Sequence, residues 1–216
     1  MSPPLGVADN YTTSSLSPNT TAPLYVQARA CATNSVDSAT DVRVSSAQAP
    51  TVAGTPLSAV NISSMSVAWS ANGNPVNVTT YTVVFTTGAS YPNAHAGTVS
   101  FSTLPAGAAL SATRTGLEPN TSYYVFVAAK NHAEVFTSYT LAASTATRPH
   151  PPAAAGFEDV FFSSIVVAWA TNGNPLGVTT YTVVMSTTSA YPPTGSGDVA
   201  VATVPVSGSV VLPIPG

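Results

Sequence analysis

Charge is what this sequence has least of. Only 6% of its 216 residues are charged, against roughly 25% in an ordinary globular protein. Lys and Arg together number 5. That leaves no basic footprint for nucleic acid and no polybasic patch for an anionic membrane. The single cysteine, Cys31, excludes a disulfide framework and a cysteine zinc site within one chain. No apolar run approaches the ~18 residues of a membrane helix, so the chain is not expected to span a bilayer. The N-terminus, MSPPLGVADN, has neither the basic start nor the apolar stretch of a signal peptide. An exported protein would already have lost its signal, so this leaves export open.

Catalytic constellations are missing too. His95, His132 and His150 stand alone in turns or linkers and read as solvent-facing, with no second ligand at metal spacing. Among the acids, only Glu158 and Asp159 are adjacent, and neighbours on a strand point to opposite faces. That does not make a pair of hydrolase carboxylates, and Asp159 alone is a weak calcium ligand. No Gly-x-Ser-x-Gly elbow occurs, and the GSG at Gly195–Gly197 opens no helix. The chain reads as non-enzymatic, with no cofactor and no metal site.

What the sequence does contain is a repeat. NGNPVNVTTYTVV at 72–84 returns as NGNPLGVTTYTVV at 172–184. Trp69 recurs as Trp169, Tyr81 as Tyr181, Tyr91-Pro92 as Tyr191-Pro192, each at an offset of 100. LSPNT at 16–20 returns as LEPNT at 117–121, an offset of 101. The chain holds about two copies of a unit of roughly 100 residues and starts and stops within a unit.

Inside the unit the period is 2. Met65, Val67 and Trp69 alternate with Ser64, Ser66 and Ala68, and Tyr123, Val125, Val127 and Ala129 alternate with Tyr124, Phe126, Ala128 and Lys130. β-branched and aromatic residues in that pattern make half-buried strands. NGNP, YPNAHAG and LEPN are turn clusters. RPHPP before Ala153–Ala155 favours an extended linker there. Short strands with regular turns indicate an antiparallel β-sandwich.

Trp69 at a strand end, Tyr81 opening the next strand, and the spacing from Leu117 through Tyr123 to Asn131 resemble the fibronectin type III domain. The resemblance implies an all-β chain of tandem immunoglobulin-like antiparallel sandwiches, each with strands A to G. It places Trp69 on strand B, Tyr81 on strand C and Tyr123 at the tyrosine corner, its hydroxyl bonding backbone near Leu117. In the first unit Leu24 takes the corner position, so that unit would lose the corner bond. The Arg-Gly-Asp tripeptide of the family is absent.

Mapped this way, residues 1–48 are the C-terminal part of one domain (strands E to G). Residues 49–147 are a complete domain, and residues 148–216 are the N-terminal part (strands A to E) of another. Something must cover the open sheet edges of the two part-domains. The chain is either a window cut from a longer array or a fibre subunit whose N-terminal strands complete the next copy by strand addition. Closure of the two ends on each other is disfavoured by the intervening domain, roughly 40 Å long. Residues 1–16 and 201–216 cover the same part of the unit, which suits a window.

Candidate contact residues are few. Asn-x-Ser/Thr acceptors begin at Asn10, Asn19, Asn61, Asn77 and Asn120 and matter only in a host that glycosylates exported proteins. Tyr124 and Phe126 fall on the outer face of strand F and are candidates for contact with a neighbouring subunit or a glycan. Cys31 falls near the end of strand F. Low charge with abundant Ser, Thr and Pro suits a cell-surface or extracellular location. The expected function is that of an extracellular structural protein in a fibre of tandem domains. Its partners would be other copies or adjacent domains, head to tail. The alternative is an adhesin or a carbohydrate-binding accessory module.

Overall fold

The structure is a computed structural model that describes residues 12, 15–29, 35–52, 54–91, 99–103, 110–185, 199–204 and 208–213. Within them every regular element is a strand, and every strand pairing is antiparallel.

The N-terminal unit contributes β1 (Thr21–Leu24), β2 (Gln27–Arg29), β3 (Ser35–Asp37) and β4 (Asp41–Val44). β1 pairs with β4 and β2 with β3, so the two pairs form one interrupted hairpin. The middle unit contributes β5 (Leu57–Ser58), β6 (Ser64–Trp69), β7 (Thr80–Thr86), β8 (Val99–Thr103), β9 (Leu110–Thr115), β10 (Ser122–Lys130) and β11 (Thr140–Ala146). Its sheets have the orders β5-β6-β9 and β11-β10-β7-β8. In the lettering implied by the resemblance these are A-B-E and G-F-C-C′. The C-terminal unit contributes β12 (Ala153–Val160), β13 (Ser164–Ala170), β14 (Tyr181–Met185), β15 (Val199–Val204) and β16 (Gly208–Pro213). Its sheets are β12-β13-β16 and β14-β15, or A-B-E and C-C′.

Alternation builds the middle core. Met65, Val67 and Trp69 of β6 face Tyr81, Val83 and Phe85 of β7 and Tyr123, Val125 and Val127 of β10, all buried in one cluster. The Trp69 and Tyr81 rings lie 5.6 Å apart, and Trp169 and Tyr181 repeat the contact at 5.7 Å. Glu118 N donates to the Tyr123 hydroxyl at 3.1 Å, which is the expected tyrosine corner.

Two sequence expectations change. Ala153–Ala155 opens β12 and is not linker, because the prolines end before it and Ala153 pairs with Ala170 across the sheet. The corner position of the first unit is Ala22, not Leu24. Asn19 N donates to the Ser46 carbonyl as Asn120 N does to that of Arg148, which fixes the match three residues before Ala22 and Tyr123. Ser45 Oγ donates to the Ser17 carbonyl at 2.7 Å, as Thr147 Oγ1 does to that of Glu118 at 2.6 Å, so a hydroxyl just past the last strand ties this turn in both units.

Among the described residues, burial is shallower in the C-terminal unit than in the middle one. Met65, Val67, Val83 and Val84 are fully buried, whereas their counterparts Ile165, Val167, Val183 and Val184 are half-buried. A fully buried side chain of this kind contributes about 1.5–3 kcal/mol, so incomplete cover forgoes much of what stabilises the middle sandwich.

A candidate site at the joints between sandwiches

The two repeated motifs meet each other. At the first joint Asn19 Nδ2 donates to Thr79 Oγ1 at 2.8 Å. At the second Asn120 Nδ2 donates to Thr179 Oγ1, also at 2.8 Å. Asn19 and Asn120 have φ of 48° and 44°. This left-handed backbone favours Asn among non-glycine residues, and it turns the amide toward the following unit.

The NGNP loop makes the second contact. Asn72 and Gly73 both have positive φ, as do Asn172 and Gly173, which is the type I′ geometry that Asn-Gly suits. The turn aims the next asparagine at the linker. Asn74 Oδ1 accepts from Gln48 N and its Nδ2 donates to the Gln48 carbonyl, both at 2.7 Å. Asn174 grips His150 the same way, at 2.7 and 2.8 Å. Asn72 Nδ2 donates to the Ala49 carbonyl at 2.9 Å and Asn172 Nδ2 to that of Pro151 at 3.0 Å. One side-chain amide thus pairs with a linker residue as a neighbouring strand would.

Burial makes these contacts selective. Asn19 is 2% exposed and Thr79 fully buried. A buried polar group left unpaired costs about 1–3 kcal/mol, so the joint accepts only a neighbour that satisfies it. The first joint carries additional bonds from the turn after β10. His132 N and Nδ1 donate to Asn19 Oδ1 at 2.9 and 2.8 Å. Asn131 Nδ2 donates to the Ser45 carbonyl at 3.0 Å, and His132 Nε2 lies 2.9 Å from Thr21 Oγ1. Asn19 Oδ1 only accepts, so Nδ1 carries the proton there and Nε2 is free to accept from the threonine. His132 thus bonds at the joint while remaining exposed in its turn, as expected. His150 joins through its backbone.

The sequence-derived candidates fall out differently. Asn19 and Asn120 direct their Nδ2 atoms into the joints; Asn19 is buried there and Asn120 is partly exposed. Asn61 and Asn77 are exposed. Asn10, His95, Cys31, Tyr191 and the GSG turn lie outside the described residues. Phe126 points outward as expected but is 6% exposed, because Tyr91 lies across it at 5.8 Å between ring centroids. Tyr91 also meets Tyr139 edge-on at 4.3 Å. Burial, reinforced by Tyr91, pushes the Tyr139 phenol up to about 12. Tyr124 is half-buried and keeps part of its surface on that face. Glu158 and Asp159 are exposed. Among the described residues no three His, Cys, Asp or Glu side chains gather into a metal-binding group, and no helix is long and apolar enough to cross a membrane.

Sequence reasoning recovered both motifs as repeats and missed that they touch. The available signal was that LxPN and NGNPxxVTT recur together, at offsets of 101 and 100.

The family model described as "Fibronectin type III domain" matches residues 48–142. Among solved structures, a two fibronectin type-III domain segment from chicken tenascin is similar at 16% identity and a TM-score of 0.50. The match covers 78% of this chain and 84% of that one. No curated protein matches.

Proposed function

We propose that the chain, which matches the fibronectin type III domain over residues 48–142, is an extracellular structural protein, a subunit or segment of a cell-surface fibre of tandem sandwiches. The observation that carries this reading is the joint made twice with the same atoms. In a quasi-one-dimensional array the contacts between neighbours set stiffness, and a buried amide lock favours one orientation over a swivel. Low charge and abundant Ser and Thr support a place outside the cell. The open sheet edges of the end units call for strands from another copy or from adjacent domains of the same array. Such a contact is head-to-tail and heterologous, so it propagates without closing.

Small-angle scattering of the full chain tests the reading. A stiff array gives a particle distance distribution with separate maxima for neighbouring units, and Thr79→Val combined with Thr179→Val blurs them. A wild-type profile of units moving freely about their linkers would overturn it.

The second reading, an adhesin or carbohydrate-binding accessory module, draws on the aromatic group of Tyr91, Tyr124 and Tyr139. A glycan-array screen of the full chain tests it. Binding abolished by Tyr124→Ala, with the fold intact, would favour this reading over the first.

A further inference from the structure

The tyrosines of this chain are held in different ways. Tyr81 and Tyr181 are buried against Trp69 and Trp169. Tyr123 is buried at the corner, where its hydroxyl accepts from Glu118 N. Tyr91 and Tyr139 are half-buried, and among the described residues theirs is the one contact between two tyrosine rings. They come from separate parts of the middle unit. Tyr91 lies on the connection after β7, and Tyr139 immediately precedes β11.

The two rings are unusually close. Their centroids are 4.3 Å apart with the planes at 64°, inside the roughly 4.5–7 Å of ordinary aromatic pairs. A direct bond between two phenyl rings sets their centroids about 4.3 Å apart, the span of two ring radii and one carbon–carbon bond. The Tyr139 phenol is also hydrogen-bonded to that of Tyr91. That bond holds the two oxygens together, and with them the carbons ortho to each.

We propose that Tyr91 and Tyr139 are an oxidative modification site, where a haem peroxidase and hydrogen peroxide couple the two rings into an ortho–ortho dityrosine within one chain. The oxidant takes one electron and one proton from each phenol. The two phenoxyl radicals join through their ortho carbons. The ring proton on each of these carbons then moves to the oxygen, which restores both phenols. The chain loses two hydrogen atoms in all, and the peroxide that receives them becomes two molecules of water.

The fold favours this step over coupling between chains. The rings already stand at the separation of the product, so coupling turns them about their side-chain bonds and leaves the backbone in place. Holding both partners together makes the reaction intramolecular, at a high effective concentration. Both rings keep some surface in solvent, which leaves them open to the oxidant. The product staples the connection after β7 to the entry of β11, in a chain whose single cysteine has no partner within it. The chemistry needs only the two rings and the oxidant, so the inference stands apart from the fibre reading.

The test treats the full chain with a haem peroxidase and hydrogen peroxide. The expected product is a monomer lighter by two hydrogen atoms, with dityrosine fluorescence, whose digest holds a peptide pair joined between positions 91 and 139. Tyr91→Phe and Tyr139→Phe keep the rings and should each reduce that product to background. Tyr124→Phe, on the same sheet face, should leave it unchanged. Oxidation in urea should abolish the 91–139 link, because the fold no longer holds the rings together, while Tyr25, 66% exposed, can still couple between chains. A folded chain that gives no dityrosine while free tyrosine in the same mixture couples would overturn the proposal. So would dityrosine confined to dimers, or a monomer link that survives Tyr91→Phe.

Discussion

Asn19 Nδ2 lies 2.8 Å from Thr79 Oγ1, at 2% and 0% exposure respectively. They belong to different sandwiches and stand 60 residues apart. A hydrogen bond that deeply buried between two domains couples their positions, because separating them strands two polar groups before water can reach both.

Thr79→Val keeps the shape and removes the acceptor. It should destabilise the first joint by about 1–3 kcal/mol, the cost of a buried donor left unpaired. Thr179→Val should cost less, because Asn120 is partly exposed and can be hydrated. Urea unfolding of the full chain compares the two, and equal effects would mean that burial does not set the strength of the joint.

Tyr123→Phe tests the corner. It takes away the hydroxyl that accepts from Glu118 N and leaves the ring in place. The expected loss is about 1 kcal/mol, read as a lower urea midpoint with unchanged slope.

Trp69→Ala should cost the middle sandwich about 3–5 kcal/mol, the range for buried aromatics. Trp69 Nε1 makes no hydrogen bond, so Trp69→Phe should cost far less. Urea melts that rank the two variants equally would point to the indole nitrogen and away from volume.

The Tyr139 phenol is raised to about 12 by burial beside Tyr91. The folded state therefore holds its proton more tightly than the unfolded chain, whose tyrosines titrate near 10. The resulting stability is fully present below pH ~10 and is lost as pH rises through about 12. Alkaline titration followed by phenolate absorbance should show a late tyrosine, and Tyr139→Phe should remove it.

Expressed in a host that glycosylates, the chain should carry glycans at Asn61 or Asn77 and not at Asn19 or Asn120. Peptide mass spectrometry decides this. A glycan at Asn19 in folded protein would contradict the joint, because Asn19 is 2% exposed there.

Much of this molecule was legible from its residues because strands announce themselves locally. Alternation in 65–69 and 123–129 places the same side chains inward in the structure, since a strand has only two faces to choose between. The turns were legible for a similar reason. Asn72-Gly73 and Asn120 sit at positive φ, a local steric demand that shows in residue type. The repeat determined that the units share one plan, and the resemblance carried by Trp69, Tyr81 and Tyr123 implied the tyrosine corner that Tyr123 makes. Tertiary structure alone decided the rest. Asn19 reads as a glycan acceptor in sequence and is a buried joint residue in space. Its partners Thr79 and His132 lie 60 and 113 residues away, and no local pattern encodes a contact across that distance. Phe126 likewise points outward by alternation, yet it is covered by Tyr91 from another connection. Periodicity tells which way a side chain points, but which distant segment comes to lie over it is settled by packing.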